Sequence, residues 1–441
     1  MTAPSAASHT YYQASSAPAD YPAPGRDQEY AVCIVGGGYA GLATAMSLLE
    51  AGQKNVVLIE AERIGHGASG RNGGFVFGGF SLAERALCRQ VGAPAARALY
   101  ALTTAAMTTI ARRIGQHAID CDLRREGVIL ADWFGDAARL AARRRFMADT
   151  LGVDWRHLPR DELAALLRTE RYGAGLFEPG AFHFHPLKYA RGLAAAAALG
   201  GVAIHEQTRA TALARSGAGW RIDAADGAGR KHAIRAREVV LCCGGYLDGL
   251  LPALARAMLP ISTYVMVTEP LGARLADALR TGAAVYDTRF AFDYYRPLAG
   301  GRLLWGGRIG VRERGAAAVA RLLQADMLRV YPQLQGAGVQ FAWSGRMSYG
   351  RHQMPQLGRL PGGAWYAMGF GGHGVAPTTM AGEVLAAALM GDGAPLARFG
   401  NWGLAPVGGP IGLAAAQLSY WGRQLRDSVA GRRPPGKMRP P

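Results

Sequence analysis

The sequence predicts an α/β protein with a second, α+β domain, and three observations carry that expectation. The first is the stretch from Ala31 to Glu60, AVCIVGGGYAGLATAMSLLEAGQKNVVLIE, which reads strand, glycine turn, helix, strand. The second is that two later apolar runs, Val239 to Leu241 and Trp365 to Met368, also feed glycine turns, Cys242-Cys243-Gly244-Gly245 and GFGGHG. The third is that long blocks with their own strands and helices separate these runs. Segments near 31, 202, 239 and 365 therefore belong to one sheet, and the intervening blocks to something else. That interleaving implies two domains, each assembled from non-adjacent segments.

Ala31 to Val35 is uncharged and rich in β-branched residues, as a strand buried on both faces should be. Gly36, Gly38 and Gly41 then form G-x-G-x-x-G at the strand-to-helix turn. The first glycine permits the turn, the second lets a pyrophosphate approach the backbone, and the third lets helix pack on strand. Ala40 to Glu50 is a good helix former, so its free N–H groups and positive dipole end face the phosphates. Glu60 closes the next strand, Val56 to Ile59, about twenty residues beyond the last glycine; an acid there suits a ribose hydroxyl pair.

Residues 1–28, rich in Ala, Ser, Pro and Tyr, read either as an extended arm or as a disordered tail. Arg63 to Phe80, RIGHGASGRNGGFVFGGF, has too many glycines for regular structure and too few charges for a solvent loop. It reads as backbone packed against a flat ligand. Leu82 to Gln116 spaces as two helices, Gly135 to Leu151 as an Arg-studded helix, and Leu187 to Leu199 as another. Ile261 to Thr268 alternates as a strand, Phe290 to Pro297 and Arg302 to Gly307 form a hairpin, and Ala316 to Tyr331 is a helix. Val339 to Gly345 is a strand, Thr379 to Met390 a helix, and residues 401–441 end in a Pro/Arg tail. The predicted dinucleotide-binding domain gathers 29–85, 180–255 and 340–400; the second domain takes 86–179 and 256–339.

The formal charge of +17 suggests nucleic acid at first sight. Lysine occurs only at Lys54, Lys188, Lys231 and Lys437, however, and the arginines are scattered without a polybasic run or recognition motif. A solvated basic surface is the reading, with no nucleic-acid partner. The five cysteines, Cys33, Cys88, Cys121, Cys242 and Cys243, have no metal-ligand spacing, and their odd number suits a reducing cytoplasm. No apolar run is long enough to span a bilayer, and no secretory signal is visible. Oligomeric state cannot be read.

Several words of the sequence carry a family likeness: YYQAS, GGGYAGL, LIEAERIG, GASGRNGG, IDCD, HFHPL, DYYR, RLLWGG, MPQLGRL and GFGGHGV. Through them the chain resembles the FAD-dependent amine and amino-acid oxidases of the D-amino-acid-oxidase, glycine-oxidase and sarcosine-oxidase superfamily. Within it, the gamma-glutamylputrescine oxidoreductase group is the most similar. The resemblance implies a Rossmann-like FAD-binding domain interleaved with an antiparallel-sheet substrate domain. It places Gly36, Gly38 and Gly41 at the pyrophosphate, with Tyr39 and Ala40 beside them. Glu60 and Ala61 fall at the adenosine ribose, and Ala210 at the adenine. Ala68, Ser69, Arg71, Asn72, Gly73 and Gly74 wrap the isoalloxazine, and Gly244 completes the wall. Gly371, Gly372, His373, Gly374 and Val375 point N–H groups at the flavin N1/O2 edge, where reduced flavin carries negative charge. His373 either adds a donor or only packs.

The implied reaction removes hydride from a carbon next to an amine nitrogen, giving an imine that water hydrolyses, with O2 reduced to H2O2. Departures from the family narrow the substrate. Where glycine and D-amino-acid oxidases carry a carboxylate-clamping arginine stands Met347, with Arg346 one residue early. Where sarcosine-oxidase-like enzymes place a lysine after the GHG turn stand Ala376 and Pro377. No cysteine follows Cys243, so FAD is expected to be non-covalent. The lysine those enzymes use for oxygen reduction aligns with Leu304, which leaves oxidase against dehydrogenase open. Expected pocket residues are Phe75, Tyr264, Tyr294, Tyr295, Trp305 and Met347, with Tyr295 and His373 nearest the chemistry. Arg296, Arg289 or Arg308 are the alternatives for holding a carboxylate. The leading substrate is a small amine such as gamma-glutamylputrescine. The alternatives are a cyclic or N-alkyl amino acid such as L-pipecolate, and a dehydrogenase that uses a quinone.

Overall fold

A computed structural model describes residues 10–25, 28–247 and 249–431. Residues 1–9 of the expected arm and the Pro/Arg tail from 432 lie outside the described residues. The first sheet is built as the apolar runs require. Glu29–Val35 lies parallel between Val56–Ile59 and Lys231–Leu241, with Ala203–His205 beyond the former and Trp365–Met368 beyond the latter. Gln356–Arg359 closes one edge antiparallel, and Thr208–Ser216 with Gly219–Asp226 folds back on Lys231–Leu241 as a meander. The four residues Val56–Ile59 are all buried, as a strand covered on both faces must be.

Helix Tyr39–Glu50 buries every residue from Tyr39 to Leu48, so it is sandwiched rather than laid on a surface. Its outer neighbour is Val375–Leu389. The two helices touch backbone to backbone, because a Cβ on Gly382 would stand 2.5 Å from the carbonyl carbon of Ala43. This helix begins at Val375, four residues ahead of the expected Thr379, so its N-terminus lies in the GFGGHG turn itself.

The second sheet has eight strands, in the order Val339–Tyr349, Leu259–Thr268, Arg302–Gly310, Tyr294–Leu298, Ala284–Asp287, Val128–Ala131, Gly175–Glu178 and Arg156–Leu158. Its pairings are antiparallel except between Ala284–Asp287 and Val128–Ala131. Val339–Tyr349 was expected among the dinucleotide-binding segments. It belongs here, because it pairs with Leu259–Thr268 along nearly its whole length. Helix Ala316–Val330 covers one face of this sheet through Val319, Leu323, Met327 and Val330.

The described part of the N-terminal segment docks on its own chain. Thr10 caps the short helix Tyr11–Ala14. Tyr12 is fully buried against His185 and Trp343, and its hydroxyl donates to the carbonyl of Asn72 at 2.8 Å. The C-terminal region contains a helix, Gly409–Ala430, where sequence suggested only a tail. No helix among the described residues is long and apolar enough to cross a membrane.

Candidate functional site

A cavity of about 1250 Å³ takes residues from both sheets, larger than one small ligand needs. It runs from Glu60, Glu62 and Ala210, past Gly36, Gly38 and Gly244, to Phe75, Tyr294 and Met347, and on to Asp132 and Arg423.

The glycine turn is shaped for a phosphate. Gly36 has φ +115°, and a Cβ there would lie 2.7 Å from the carbonyl oxygen of Cys242. A Cβ on Gly41 would lie 2.0 Å from the oxygen of Gly36, so this position must be bare for the helix to close on the turn. Gly41 accordingly does not line the cavity and acts through packing. Gly38 differs: its Cβ would meet only Ser69 Oγ, at 3.0 Å. A side chain at Gly38 would press on the Ser69 hydroxyl but on no backbone atom, and Gly38 lines the cavity. Tyr39, Ala40 and Ala61 line the same end. Glu60 is held by its own loop, accepting from the amides of Gly37 at 2.6 Å and Glu62 at 2.9 Å, while burial raises its carboxyl above the usual range.

The GASGRNGG segment is locked rather than loose. Asn72 Nδ2 donates to the carbonyls of Ala68 and Ser69, and its Oδ1 accepts from the Gly74 amide at 2.7 Å. Ser69 Oγ accepts from the Tyr39 amide at 2.9 Å, tying the segment to the first helix. Arg71 Nε donates to the carbonyl of His66, and Trp343 Nε1 donates to that of Arg71. Ala68, Ser69, Arg71, Asn72 and Gly73 all line the cavity. Gly74 does not: its φ is +81°, and a Cβ there would stand 2.1 Å from the carbonyl oxygen of Phe184. It is a packing glycine.

Across the cavity, Gly371, Gly372, His373, Gly374 and Val375 form the opposite wall. The Gly371 amide already donates to the Ser348 carbonyl and that of Gly372 to the Tyr349 hydroxyl, each at 2.8 Å. The first turn of helix Val375–Leu389 supplies the remaining N–H groups, since a helix leaves its first amides without intrahelical acceptors. His373 Nε2 lies 2.9 Å from the carbonyl oxygen of Gly78, and the ring packs edge-on to Phe77 at 4.2 Å. Burial brings its pKa down to about 4, so it is a neutral ring at neutral pH.

The substrate end is aromatic. Phe75 and Tyr294 meet edge to face at 5.7 Å, and Phe77 stacks on Tyr286 at 5.5 Å. Gly73 and Gly306 leave room for the Tyr294 ring, which a Cβ on either would strike. Met347 lies beside the glycine turn, its Sδ 3.5 Å from where a Cβ on Gly372 would be.

Strand parity corrects three expected pocket residues, and backbone hydrogen bonding a fourth. Tyr294 faces the cavity, so its neighbour Tyr295 faces the other way. Tyr295 pairs in register with Trp305, and their rings stack at 4.4 Å beneath helix Ala316–Val330. Both are fully buried core, and the Tyr295 hydroxyl meets only those of Tyr172 and Tyr331. Tyr264 belongs to the same core and donates to the Arg312 carbonyl, while its neighbour Thr263 lines the cavity. Arg296 is buried outside the cavity, with Nε on the Gly73 carbonyl and Nη2 on that of Phe184. It braces the GASGRNGG loop against the HFHP segment.

Arg289 and Arg308 do reach the cavity, already neutralised. Arg289 is bound by Asp287 and Asp293, and Arg308 by both oxygens of Asp326, at 2.7 and 2.6 Å. Arg346 sits over the Tyr246 ring on the dinucleotide side and pairs with Glu313.

Four cavity residues were not foreseen. Tyr286 carries no motif, and Asp132 sits in an unremarkable ADW. Asp132 is 3% exposed; its Oδ1 accepts from the Phe134 amide, while its Oδ2 makes no hydrogen bond of ordinary geometry. Burial raises its pKa. Tyr420 and Arg423 come from the C-terminal helix and pack on Phe290, with the Arg423 guanidinium 4.8 Å from that ring. Arg423 forms no ion pair among the described residues. Asp427 holds the loop by accepting from the Phe290 amide at 2.7 Å.

Residues 31–388 match the family model described as FAD dependent oxidoreductase. The chain is 34% identical over 372 residues to gamma-glutamylputrescine oxidoreductase of Escherichia coli, covering 84% of this chain and 86% of that protein. It is 32% identical over 385 residues to a probable oxidoreductase, OrdL, of Haemophilus influenzae, covering 83% and 84%. In fold it is similar to glycine oxidase from Geobacillus kaustophilus, with a TM-score of 0.69, 21% identity and coverage of 86% of this chain and 98% of that one. The bare glycine turn and the locked glycine-rich segment, which line one cavity, suit the cofactor that this family uses. The chain belongs to the FAD-dependent oxidoreductases of the D-amino-acid-oxidase type.

Proposed function

We propose that the protein oxidises the C–N bond of an amine whose other charges lie far from the reacting carbon, a gamma-glutamylputrescine-like compound. One observation carries this reading. At the aromatic end beside the glycine-rich segments, Arg289 and Arg308 are held by aspartates and Arg296 by backbone carbonyls, while farther along the cavity Arg423 has no ion pair among the described residues and Asp132 Oδ2 no hydrogen bond of ordinary geometry. Strands sit about 4.8 Å apart, so Val128–Ala131, two places from Tyr294–Leu298, sets Asp132 roughly 10 Å from the Tyr294 strand. A substrate with a zwitterionic tail fits that separation, its ammonium on Asp132 and its carboxylate on Arg423. The similarity to an enzyme named for gamma-glutamylputrescine points the same way.

Bound FAD supplies a two-electron acceptor placed against the substrate carbon. The chain supplies position and environment. Phe75 and Tyr294 enclose the methylene chain and exclude water, and Met347 leaves the reacting carbon without a carboxylate clamp. The amine reacts as the neutral base, so its nitrogen needs no general base, and His373 serves as a neutral wall that holds Gly78. Loss of hydride from carbon and a proton from nitrogen leaves an imine. Water converts it to aldehyde and ammonia, and O2 takes the two electrons and two protons as H2O2.

FAD is held non-covalently in this reading, because Cys242 and Cys243 are the last cysteines of the chain and Cys243 Sγ is turned to the Val35 carbonyl. A second reading, a dehydrogenase with a quinone acceptor, draws support from the lack of any lysine among the described cavity residues. Leu304, aligned with the oxygen-activating lysine of relatives, is buried with Val265 and Trp343. Steady-state assay of the glutamylated diamine against putrescine, with peroxide measured, tests both points. A KM at least tenfold lower for the glutamylated compound is expected; equal KM values overturn the remote-charge reading, and turnover without peroxide selects the dehydrogenase.

A further inference from the structure

We infer that the C-terminal helix Gly409–Ala430 docks the protein on an anionic lipid surface. The helix is amphipathic in an inverted sense. Leu413, Gln417, Tyr420 and Asp427 turn toward the body of the protein, where Gln417 accepts from the Val311 amide and Asp427 from that of Phe290. Ile411, Leu418, Trp421, Leu425 and Val429 turn outward and are 59 to 81% exposed. They are five of the eight large apolar side chains that the described residues leave exposed. Ile411 stands about two turns before Leu418 and the others follow at three- and four-residue steps, so they form one stripe along a helix about 33 Å long. A contiguous stripe of this kind marks an interaction surface rather than scattered surface leucines.

Charge identifies the partner. Arg426 lies beside the stripe, and Asp427, the helix's one acid, is spent inward on Phe290. The sequence that follows, RRPPGKMRPP, adds four cations and no acid. An apolar face with Trp and Leu, flanked by arginine, lies in the plane of a headgroup layer and is drawn there by anionic lipid. A second copy of the chain fits less well. Five side chains fall short of the about 20–30 residues a side that a stable interface uses. The inner face of the same helix carries Tyr420, which lines the cavity, so docking sets the cavity within about one helix diameter, roughly 10 Å, of the lipid.

The test is co-sedimentation of the flavin-loaded protein with phosphatidylcholine vesicles, with and without phosphatidylglycerol. Leu418→Ser/Leu425→Ser serves as the variant; neither residue touches the cavity, and both are solvent-exposed, so flavin content and turnover should be unchanged. The expected result is binding to the anionic vesicles roughly tenfold tighter than to neutral ones. It should weaken with salt and fall at least tenfold in the variant. Equal binding to both vesicle types, or unchanged binding by the variant, overturns the proposal. So does failure to bind vesicles together with a dimer in light scattering that the variant abolishes, which would seat a second copy on the stripe.

Discussion

Arg296 donates through Nε to the carbonyl oxygen of Gly73 over 2.6 Å, and through Nη2 to that of Phe184 over 2.8 Å. A buried guanidinium with no ion pair among the described residues thus bridges the GASGRNGG loop to the HFHP segment. Replacing it with alanine leaves two buried carbonyls without this donor, a cost of about 2–6 kcal/mol. Arg296→Ala should lower Tm and bound flavin together. A variant that keeps its flavin and its Tm but loses turnover would return Arg296 to the substrate and revive the amino-acid-oxidase alternative.

Two alanine substitutions in the glycine turn should separate cofactor binding from folding. At Gly41 the new Cβ would collide with the Gly36 carbonyl, so Gly41→Ala should be unstable with or without FAD. At Gly38 it meets only the Ser69 hydroxyl, so Gly38→Ala should fold but bind FAD weakly. Thermal melts of apo and reconstituted protein read the difference. Normal FAD affinity in Gly38→Ala would mean that the pyrophosphate lies elsewhere.

The remote anchors should show in KM. Asp132→Asn and Arg423→Ala each remove one charged hydrogen-bonding partner, worth about 1.5–3 kcal/mol, or roughly 10- to 100-fold. KM for the glutamylated diamine should rise by that factor while kcat and flavin content hold. An unchanged KM in both variants would empty the distal end of its role.

Glu178 gives a pH-dependent prediction. Burial pushes its carboxyl up to about 7, with Glu84 adding to the rise and Arg143 opposing it. Between the ordinary value near 4.3 and 7, the folded protein therefore holds a proton that the unfolded chain has released. The sign follows: this group's contribution to stability falls as pH rises through that window. Glu178→Gln removes the penalty. The Tm of the variant relative to the parent should increase from pH 5 to pH 8, by the equivalent of up to about 3 kcal/mol. A constant difference would show that Glu178 ionises normally.

What could be read from the sequence was backbone chemistry. Gly36, Gly38 and Gly41 advertise the turn by their spacing, with Gly36 and Gly41 too close to backbone for any side chain, and GASGRNGG advertises its loop by its glycines. Side-chain direction was less readable. Tyr294 and Tyr295 are the same residue type in one strand, and only pairing against Gly306 and Trp305 decides which ring faces the cavity. Tyr295 and Trp305 were chosen for the chemistry and proved to be core. The C-terminal helix was hidden by Gly409, Pro410, Gly412 and Gly422 and by an apolar face that points outward. With it were hidden Tyr420 and Arg423. Asp132 was invisible because its significance rests on a buried oxygen with no hydrogen bond of ordinary geometry, which sequence does not record.

The central claim is that this cavity brings a remotely charged amine to FAD, and anaerobic bleaching of the bound flavin tests it most directly. The panel is gamma-glutamylputrescine, putrescine, L-pipecolate and sarcosine. Rapid bleaching by the glutamylated diamine, with slow or no bleaching by the other three, is the predicted result. Rapid bleaching by L-pipecolate or sarcosine, with none by the glutamylated diamine, would contradict it.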